Sequence, residues 1–100
     1  PLTAGPWLGD WKDPERISPI ERYMLEASDI VTYHNYGDIT HVRPRVEALR
    51  RYGRPILCTE YMARPNGSRF DLLPYFKEQK VGAYNWGFVE GKTNTIYPWD

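Results

Sequence analysis

The chain has 100 residues, which suffices for one small domain with a modest core. Its 13 basic and 13 acidic residues cancel, and no basic stripe with interleaved aromatics is present, so nucleic acid is not an expected partner. No apolar stretch approaches the roughly 18 residues of a membrane span, so no membrane is expected as a partner either. The single cysteine, Cys58, excludes an internal disulfide and a cysteine-rich zinc site, and no metal site is predicted.

The aromatic content is high, at 15 of 100 residues. Many of these residues stand beside predicted strand ends and in loops that contain glycine. They could be core residues or contacts between protomers. They also suit stacking on the apolar faces of sugar rings, since a flat aromatic ring matches a flat pyranose face.

The predicted elements begin with the end of a strand over Pro1–Ala4, followed by a loop over Trp7–Ile17. Ser18 and Glu21 form a capping-box signature, and the proline between them suits a first helical position. The helix is expected from Pro19 to about Ala27. Its inner face is predicted to carry Ile20, Met24 and Ala27.

From there strands and helices alternate, and successive strands start 26 residues apart. That spacing is close to the roughly 31 residues per unit of a ~250-residue (β/α)8 barrel. Apolar strands that alternate with amphipathic helices indicate parallel pairing and right-handed crossovers. The expected elements are a strand Asp29–Tyr36, a helix Thr40–Tyr52, a strand Pro55–Tyr61, a helix Arg69–Gln79 that starts there or at Pro74, a strand Val81–Trp86 and a loop Gly87–Asp100.

The predicted fold class is therefore α/β, as a partial TIM (β/α)8 barrel with four strands and three intervening helices. All 100 residues are assigned to one unit, the C-terminal half of such a barrel. The chain opens at Pro1 and stops at Asp100 without a capped helix or a polar tail, so we expect a fragment of a longer protein. No targeting signal can be read, and localisation is left unassigned.

Three successive strands end in chemically capable side chains. His34 and Tyr36 end the first, Glu60 ends the second, and Asn85 and Trp86 end the third. In an α/β barrel the carboxyl ends of the strands converge on the face where active sites are built. Glu60 is therefore a candidate nucleophile or base in a cleft, and the alternative is a structural ion pair with an arginine.

The other strand-end residues also carry two interpretations each. His34 and Tyr36 point to the same side of their strand, where the phenol can donate a hydrogen bond to Glu60 and the imidazole can bind a sugar hydroxyl. Trp86 is either a core residue or the floor of a sugar site, and Asn85 is expected to turn to the opposite side. Further possible substrate contacts are Trp7, Trp11, Tyr61, Lys92 and Asn94, whereas Asp10 and Glu90 are expected to be solvated and Cys58 to be a small buried hydrophobe.

The motifs His34-Asn35-Tyr36, Thr59-Glu60-Tyr61 and Asn85-Trp86, in this order, resemble the sixth, seventh and eighth strands of retaining (β/α)8-barrel glycoside hydrolases. This clan includes the family 5 cellulases and mannanases and the family 2 β-galactosidases. The stretch from Arg54 to Asp100 is also similar to bacterial proteins described as cellulases or 1,4-β-xylanases.

The resemblance implies that Glu60 is the nucleophile, that Tyr36 orients it, that His34 contacts the sugar or the nucleophile, and that Trp86 stacks under the sugar. The partner is then a β-linked carbohydrate, and no cofactor is needed. The clan's acid/base glutamate follows an asparagine on the fourth strand, and this chain has no Asn-Glu pair. The missing N-terminal half of the barrel would supply it, so these 100 residues alone are expected to be nearly inactive.

Two alternatives remain open at this point. One is a non-catalytic carbohydrate-binding half-barrel, in which the aromatics serve recognition only. The other is a different barrel enzyme that uses Glu60 as a proton-abstracting base. The sequence does not distinguish sugars, linkages, or endo from exo cleavage.

Overall fold

The structure is a computed structural model that describes residues 1–6, 11–63 and 69–86. Within these residues three α-helices alternate with three strands. Two 3₁₀ turns accompany them, Arg50–Tyr52 after the second helix and Phe70–Leu72 before the third. The main elements are α1 (Pro19–Ala27), β1 (Val31–Asn35), α2 (Ile39–Leu49), β2 (Ile56–Tyr61), α3 (Leu73–Glu78) and β3 (Gly82–Asn85).

The strands form one parallel sheet in the order β1-β2-β3. Val31 pairs with Ile56, and Leu57 pairs with Gly82. Parallel neighbours that follow each other in the chain need a crossover, and α2 and α3 supply the two crossovers. The α/β class is therefore confirmed, while the finer prediction of a partial barrel belongs to the proposal below.

The capping box of α1 is confirmed. The Ser18 hydroxyl accepts from the Glu21 backbone N–H at 3.3 Å, and a Glu21 carboxylate oxygen accepts from the Ser18 N–H at 3.2 Å. The predicted inner face of this helix is wrong. Leu25 is its buried residue, whereas Ile20 is 65% exposed. Ile20, Met24 and Ala27 do share a stripe, but that stripe faces away from the core, and Met24 and Ala27 line an apolar groove beside Leu2–Ala4.

Helix α2 packs on the sheet as its spacing predicts. Val42, Val46 and Leu49 are all fully buried. The helix begins at Ile39 with Asp38 as its cap, since the Asp38 carboxylate accepts from the Thr40 N–H at 2.9 Å.

The predicted strand over Pro1–Ala4 is not present, and this prediction is wrong. The segment runs beside the start of β1, where the Leu2 N–H donates to the Asp29 carboxylate at 2.7 Å and the Leu2 carbonyl accepts from the Asp29 N–H at 2.8 Å. The Thr3 hydroxyl lies 2.9 Å from the Thr32 hydroxyl. Side-chain contacts thus replace part of the backbone ladder that a strand requires.

Helix α3 ends in a Schellman motif. The Val81 N–H donates to the Phe76 carbonyl at 2.9 Å, and the Lys80 N–H donates to the Lys77 carbonyl at 3.1 Å. Lys80 has a φ of 54°, which is the left-handed conformation that glycine usually provides at this position. Among the described residues a second helix end with a left-handed residue is the turn after α2, where Gly53 has a φ of 63°.

The amino edge of the sheet is held by two arginines. Arg54 donates to the carbonyls of Glu26, at 2.8 Å, and Ser28, just before β1. Arg50 donates to the carbonyl and the side-chain oxygen of Gln79, at 2.7 and 2.8 Å, shortly before β3. None of the helices described has the length and apolar character that crossing a membrane demands.

The buried core lies on the helix side of the sheet. Val31, Tyr33 and Asn35 of β1 and Ile56 and Cys58 of β2 all face it, and each is at most 5% exposed. Alternation therefore leaves the other set of strand residues on the opposite face, which carries the candidate site.

Candidate functional site

The carboxyl ends of the three strands meet at one edge of the sheet. His34 pairs in register with Glu60, and Tyr36 follows directly after β1. The Trp86 N–H, just after β3, donates to the carbonyl of Tyr61 at 2.9 Å. The four residues predicted to act together are thus brought to the same edge.

Three of these side chains are in direct contact. The Tyr36 hydroxyl donates a hydrogen bond to Oε2 of Glu60. Nδ1 of His34 lies 3.4 Å from the same oxygen, and the His34 and Glu60 side chains are 29% and 25% exposed. Among the described residues no ion pair is found between this carboxylate and an arginine. The alternative of a structural ion pair between Glu60 and an arginine is therefore not what this part of the chain shows.

A bulge in β2 directs Glu60 toward His34. Tyr33 pairs with Cys58, but the next pair is His34 with Glu60, so Thr59 is an extra residue. Without it, Glu60 would share the face of Cys58 and point into the core. The Thr59 hydroxyl donates to the Tyr33 carbonyl at 3.3 Å and holds the extra residue against β1.

The pairing with β3 shows the same irregularity. Cys58 pairs with Ala83, and Tyr61 pairs with Asn85, so three steps along β2 match two steps along β3. The thiol of Cys58 donates to the Glu60 carbonyl at 3.3 Å from the core side. The backbone that carries Glu60 is therefore held by both neighbouring strands and, on the core side, by the Cys58 thiol.

Tyr36 is fixed as a hydrogen-bond donor. Its partial burial, its hydrogen bond to Glu60 and the negative charge of Glu60 all raise the pKa of this phenol well above its ordinary value near 10. The phenol therefore keeps its proton over the whole neutral range. A donor of constant protonation beside a carboxylate fixes the orientation of the carboxylate.

Trp86 is 40% exposed at the end of β3, which does not fit the alternative of a core residue. Tyr84, two residues earlier, is 62% exposed and lies on the same side by strand alternation. Tyr84 is opposite the Thr59–Glu60 bulge in the β2–β3 pairing. We did not predict Tyr84 as a site residue, although its spacing of two residues from Trp86 is a usable signal.

Comparison of the chain with protein families, with curated proteins and with solved structures finds no match in any of the three.

Two predicted substrate contacts are wrong. Trp11 is 1% exposed and packs edge-on against Tyr33, with ring centroids 5.9 Å apart. Tyr61 is 2% exposed and packs against Phe76 at 5.4 Å. Both rings belong to the core between sheet and helices, so neither is available to a substrate.

The remaining predicted residues are either placed by the structure or lie outside the residues that it describes. Cys58 is fully buried, as predicted. Asn85 is half-buried on the side opposite Tyr84. In the part of the chain that the structure covers, no group of three or more His, Cys, Asp or Glu side chains is placed to hold a metal ion. Trp7, Asp10, Glu90, Lys92 and Asn94 lie outside the described residues.

Proposed function

We propose that this edge of the sheet is part of the active site of a retaining β-glycoside hydrolase, built on the C-terminal half of a (β/α)8 barrel. The observation that carries the proposal is the convergence of Tyr36 and His34 on Oε2 of Glu60, with the exposed ring of Trp86 at the same edge. The order of the three strand-end motifs, which resembles the clan described above, supports it.

Glu60 is the nucleophile in this proposal. Oε2 accepts the Tyr36 hydrogen bond and lies 3.4 Å from Nδ1 of His34, so in this proposal Oε1 is the oxygen that attacks the anomeric carbon. The bond from this carbon to the leaving oxygen breaks as the ester bond to Glu60 forms, and a second carboxyl group gives its proton to the leaving oxygen. Water then cleaves the ester after losing a proton to the same second group.

The second carboxyl must lie about 5–5.5 Å from Glu60 in a retaining enzyme. The proposal takes it from a part of the barrel outside these 100 residues. Trp86 offers its ring to the apolar face of the sugar at the cleavage point. The substrate is a β-linked oligo- or polysaccharide.

The test uses the protein in its natural form with aryl β-glycosides. Glu60→Gln keeps the shape of the side chain but removes the nucleophile, and turnover should fall below detection. Glu47→Gln removes an exposed carboxylate from α2 and serves as the matched control, with turnover expected to stay at the wild-type level. A 2-deoxy-2-fluoro glycoside should label Glu60 covalently, which mass spectrometry of the peptides detects. Turnover or labelling that survives Glu60→Gln would refute the assignment.

Tyr36→Phe tests the orienting contact separately. A hydrogen bond to a charged group contributes about 1.5–3 kcal/mol, so kcat/KM should fall by about 10- to 150-fold. If kcat/KM falls only because KM rises, with kcat unchanged, Tyr36 acts in substrate binding instead.

A second candidate function is carbohydrate binding without hydrolysis. The exposed pair Tyr84 and Trp86, on one side of β3, favours it because two neighbouring aromatic rings suit stacking on a glycan. In that case Trp86→Ala should abolish glycan binding in calorimetry, Glu60→Gln should leave it intact, and no aryl glycoside should be cleaved.

A further inference from the structure

The middle residue of the His34-Asn35-Tyr36 motif has a role of its own in the structure. Asn35 is 1% exposed and points to the core side, between two residues that contact Glu60. Its Nδ2 donates to the Gly37 carbonyl at 2.8 Å, and its Oδ1 accepts from Nη1 of Arg45 at 2.5 Å. A carbonyl only accepts and a guanidinium only donates, so these partners allow one orientation of the Asn35 amide.

Arg45 is itself held in place. It belongs to α2, and its guanidinium lies 5.4 Å from the centroid of the Trp11 ring. The Trp11 carbonyl accepts from Arg51 at 2.6 Å, and the Trp11 ring packs on Tyr33 of β1. The guanidinium therefore lies between the Trp11 ring and the buried side-chain oxygen of Asn35.

We propose that Arg45 is a positioning residue of the site, which acts through Asn35 on His34 and Tyr36. This role rests on the proposed function for its catalytic meaning, although the geometry that it predicts can be measured without any activity. The amide of Asn35 bridges Arg45 and the Gly37 carbonyl, and so it sets the direction in which the chain leaves β1. That direction determines where the Tyr36 phenol meets Glu60.

A purely structural role for Arg45 would leave Tyr36 unchanged, and Arg43 supplies the control. Arg43 lies on the same helix, and its guanidinium is 4.8 Å from the centroid of the Tyr75 ring. It makes the same kind of cation–ring contact but toward α3, away from the end of β1. Arg45→Met and Arg43→Met remove the same charge from the same helix and keep most of the side-chain length.

The experiment is NMR of the protein labelled with ¹³C at tyrosine Cζ and with ¹⁵N in histidine. Tyr36→Phe and His34→Gln assign the two signals. In Arg45→Met the Tyr36 signal should move toward that of free tyrosine, and the His34 ring signals should shift. In Arg43→Met all of these should match the wild type.

Arg45→Lys is the rescue variant, and it also serves if Arg45→Met does not fold. Lysine keeps a donor and the charge but loses the rigid fork, so the Tyr36 signal should lie between those of the wild type and the displaced form. Wild-type Tyr36 and His34 signals in a folded Arg45→Met or Arg45→Lys protein would overturn the proposal. The readout involves no glycoside, so absence of hydrolysis would refute the proposed function and leave this result standing.

Discussion

Among the described residues two helix ends use a left-handed residue, which is glycine at one end and lysine at the other. Gly53 follows the 3₁₀ turn at the end of α2 with a φ of 63°, and Lys80 follows α3 with a φ of 54°. Exchanging the residue type at each position should change stability in opposite directions. We expect Lys80→Gly to stabilise the protein and Gly53→Ala to destabilise it.

The magnitude follows from two opposing effects. A side chain with a Cβ costs about 1–2 kcal/mol in the left-handed conformation. Glycine loses about 0.5–1 kcal/mol more conformational freedom on folding than alanine does. The difference predicts a gain of about 0.5–1 kcal/mol in the free energy of unfolding for Lys80→Gly. It predicts a loss of similar size for Gly53→Ala. No steric clash adds to this loss, because a Cβ there meets no heavy atom of the described residues within 4 Å.

Urea unfolding followed by tryptophan fluorescence measures both variants, and thermal unfolding should show shifts of about 2–8 °C in opposite directions. The double variant should return close to wild type, since the two helix ends are separate. A fall in stability for Lys80→Gly, or changes of the same sign in both variants, would refute the reasoning.

Three further predictions concern the thiol, a helix cap and the amino-terminal segment. Burial raises the pKa of the Cys58 thiol to about 12. The native protein should therefore react with an aromatic disulfide at pH 8 only at the rate at which it unfolds. The free energy of unfolding should fall as the pH rises above about 9, because the thiol ionises there only in the unfolded chain. Hydrogen bonds from Thr40 and His41 lower the pKa of Asp38 to about 2. The contribution of this cap to stability is therefore complete above about pH 4 and is lost as the pH falls toward 2. Asp38→Asn should lack that part of the acid transition in circular dichroism. A Cβ at Gly5 would come within 2.9 Å of the Thr32 carbonyl oxygen, so Gly5→Ala should displace the amino-terminal segment. The Asp29 N–H, which donates to the Leu2 carbonyl of that segment, should then exchange its hydrogen faster. An exchange rate equal to that of the wild type would contradict the clash.

The α/β class and the positions of the elements could be predicted from local chemistry. Ser18 and Glu21 specify the start of α1, and the structure has that helix at the predicted bounds, Pro19–Ala27. The spacing of Val42, Val46 and Leu49 likewise identifies the buried side of α2. These signals depend on neighbours in the chain, so a single sequence contains them.

The orientation of α1 could not be predicted in the same way. Periodicity shows that Ile20, Met24 and Ala27 share a stripe, but it does not say which partner that stripe meets. In the structure Leu25 faces the core, and Met24 and Ala27 of the stripe line the groove beside residues 2–4. Which side of a helix is covered depends on tertiary packing, and the sequence pattern does not carry that information.

The candidate site was predicted by a rule about strand ends, and its geometry depends on a feature that the rule omits. Strict alternation from Cys58 would turn Glu60 into the core, and the extra residue at Thr59 reverses this. Nothing in the sequence around Thr59 marks a bulge. Trp11 was misassigned for a related reason, since its loop position suggested exposure, whereas Arg45 and Tyr33 enclose it.

The arginines at the amino ends of the strands separate the contacts that fasten the sheet from its candidate chemistry. Arg50 and Arg54 donate to main-chain carbonyls, which every residue type provides, so substitutions at the accepting positions leave these acceptors in place. The His34 imidazole, the Glu60 carboxyl and the Tyr36 phenol lie at the opposite ends of the strands. Substitutions there can therefore change the candidate chemistry without removing the arginine contacts at the amino ends.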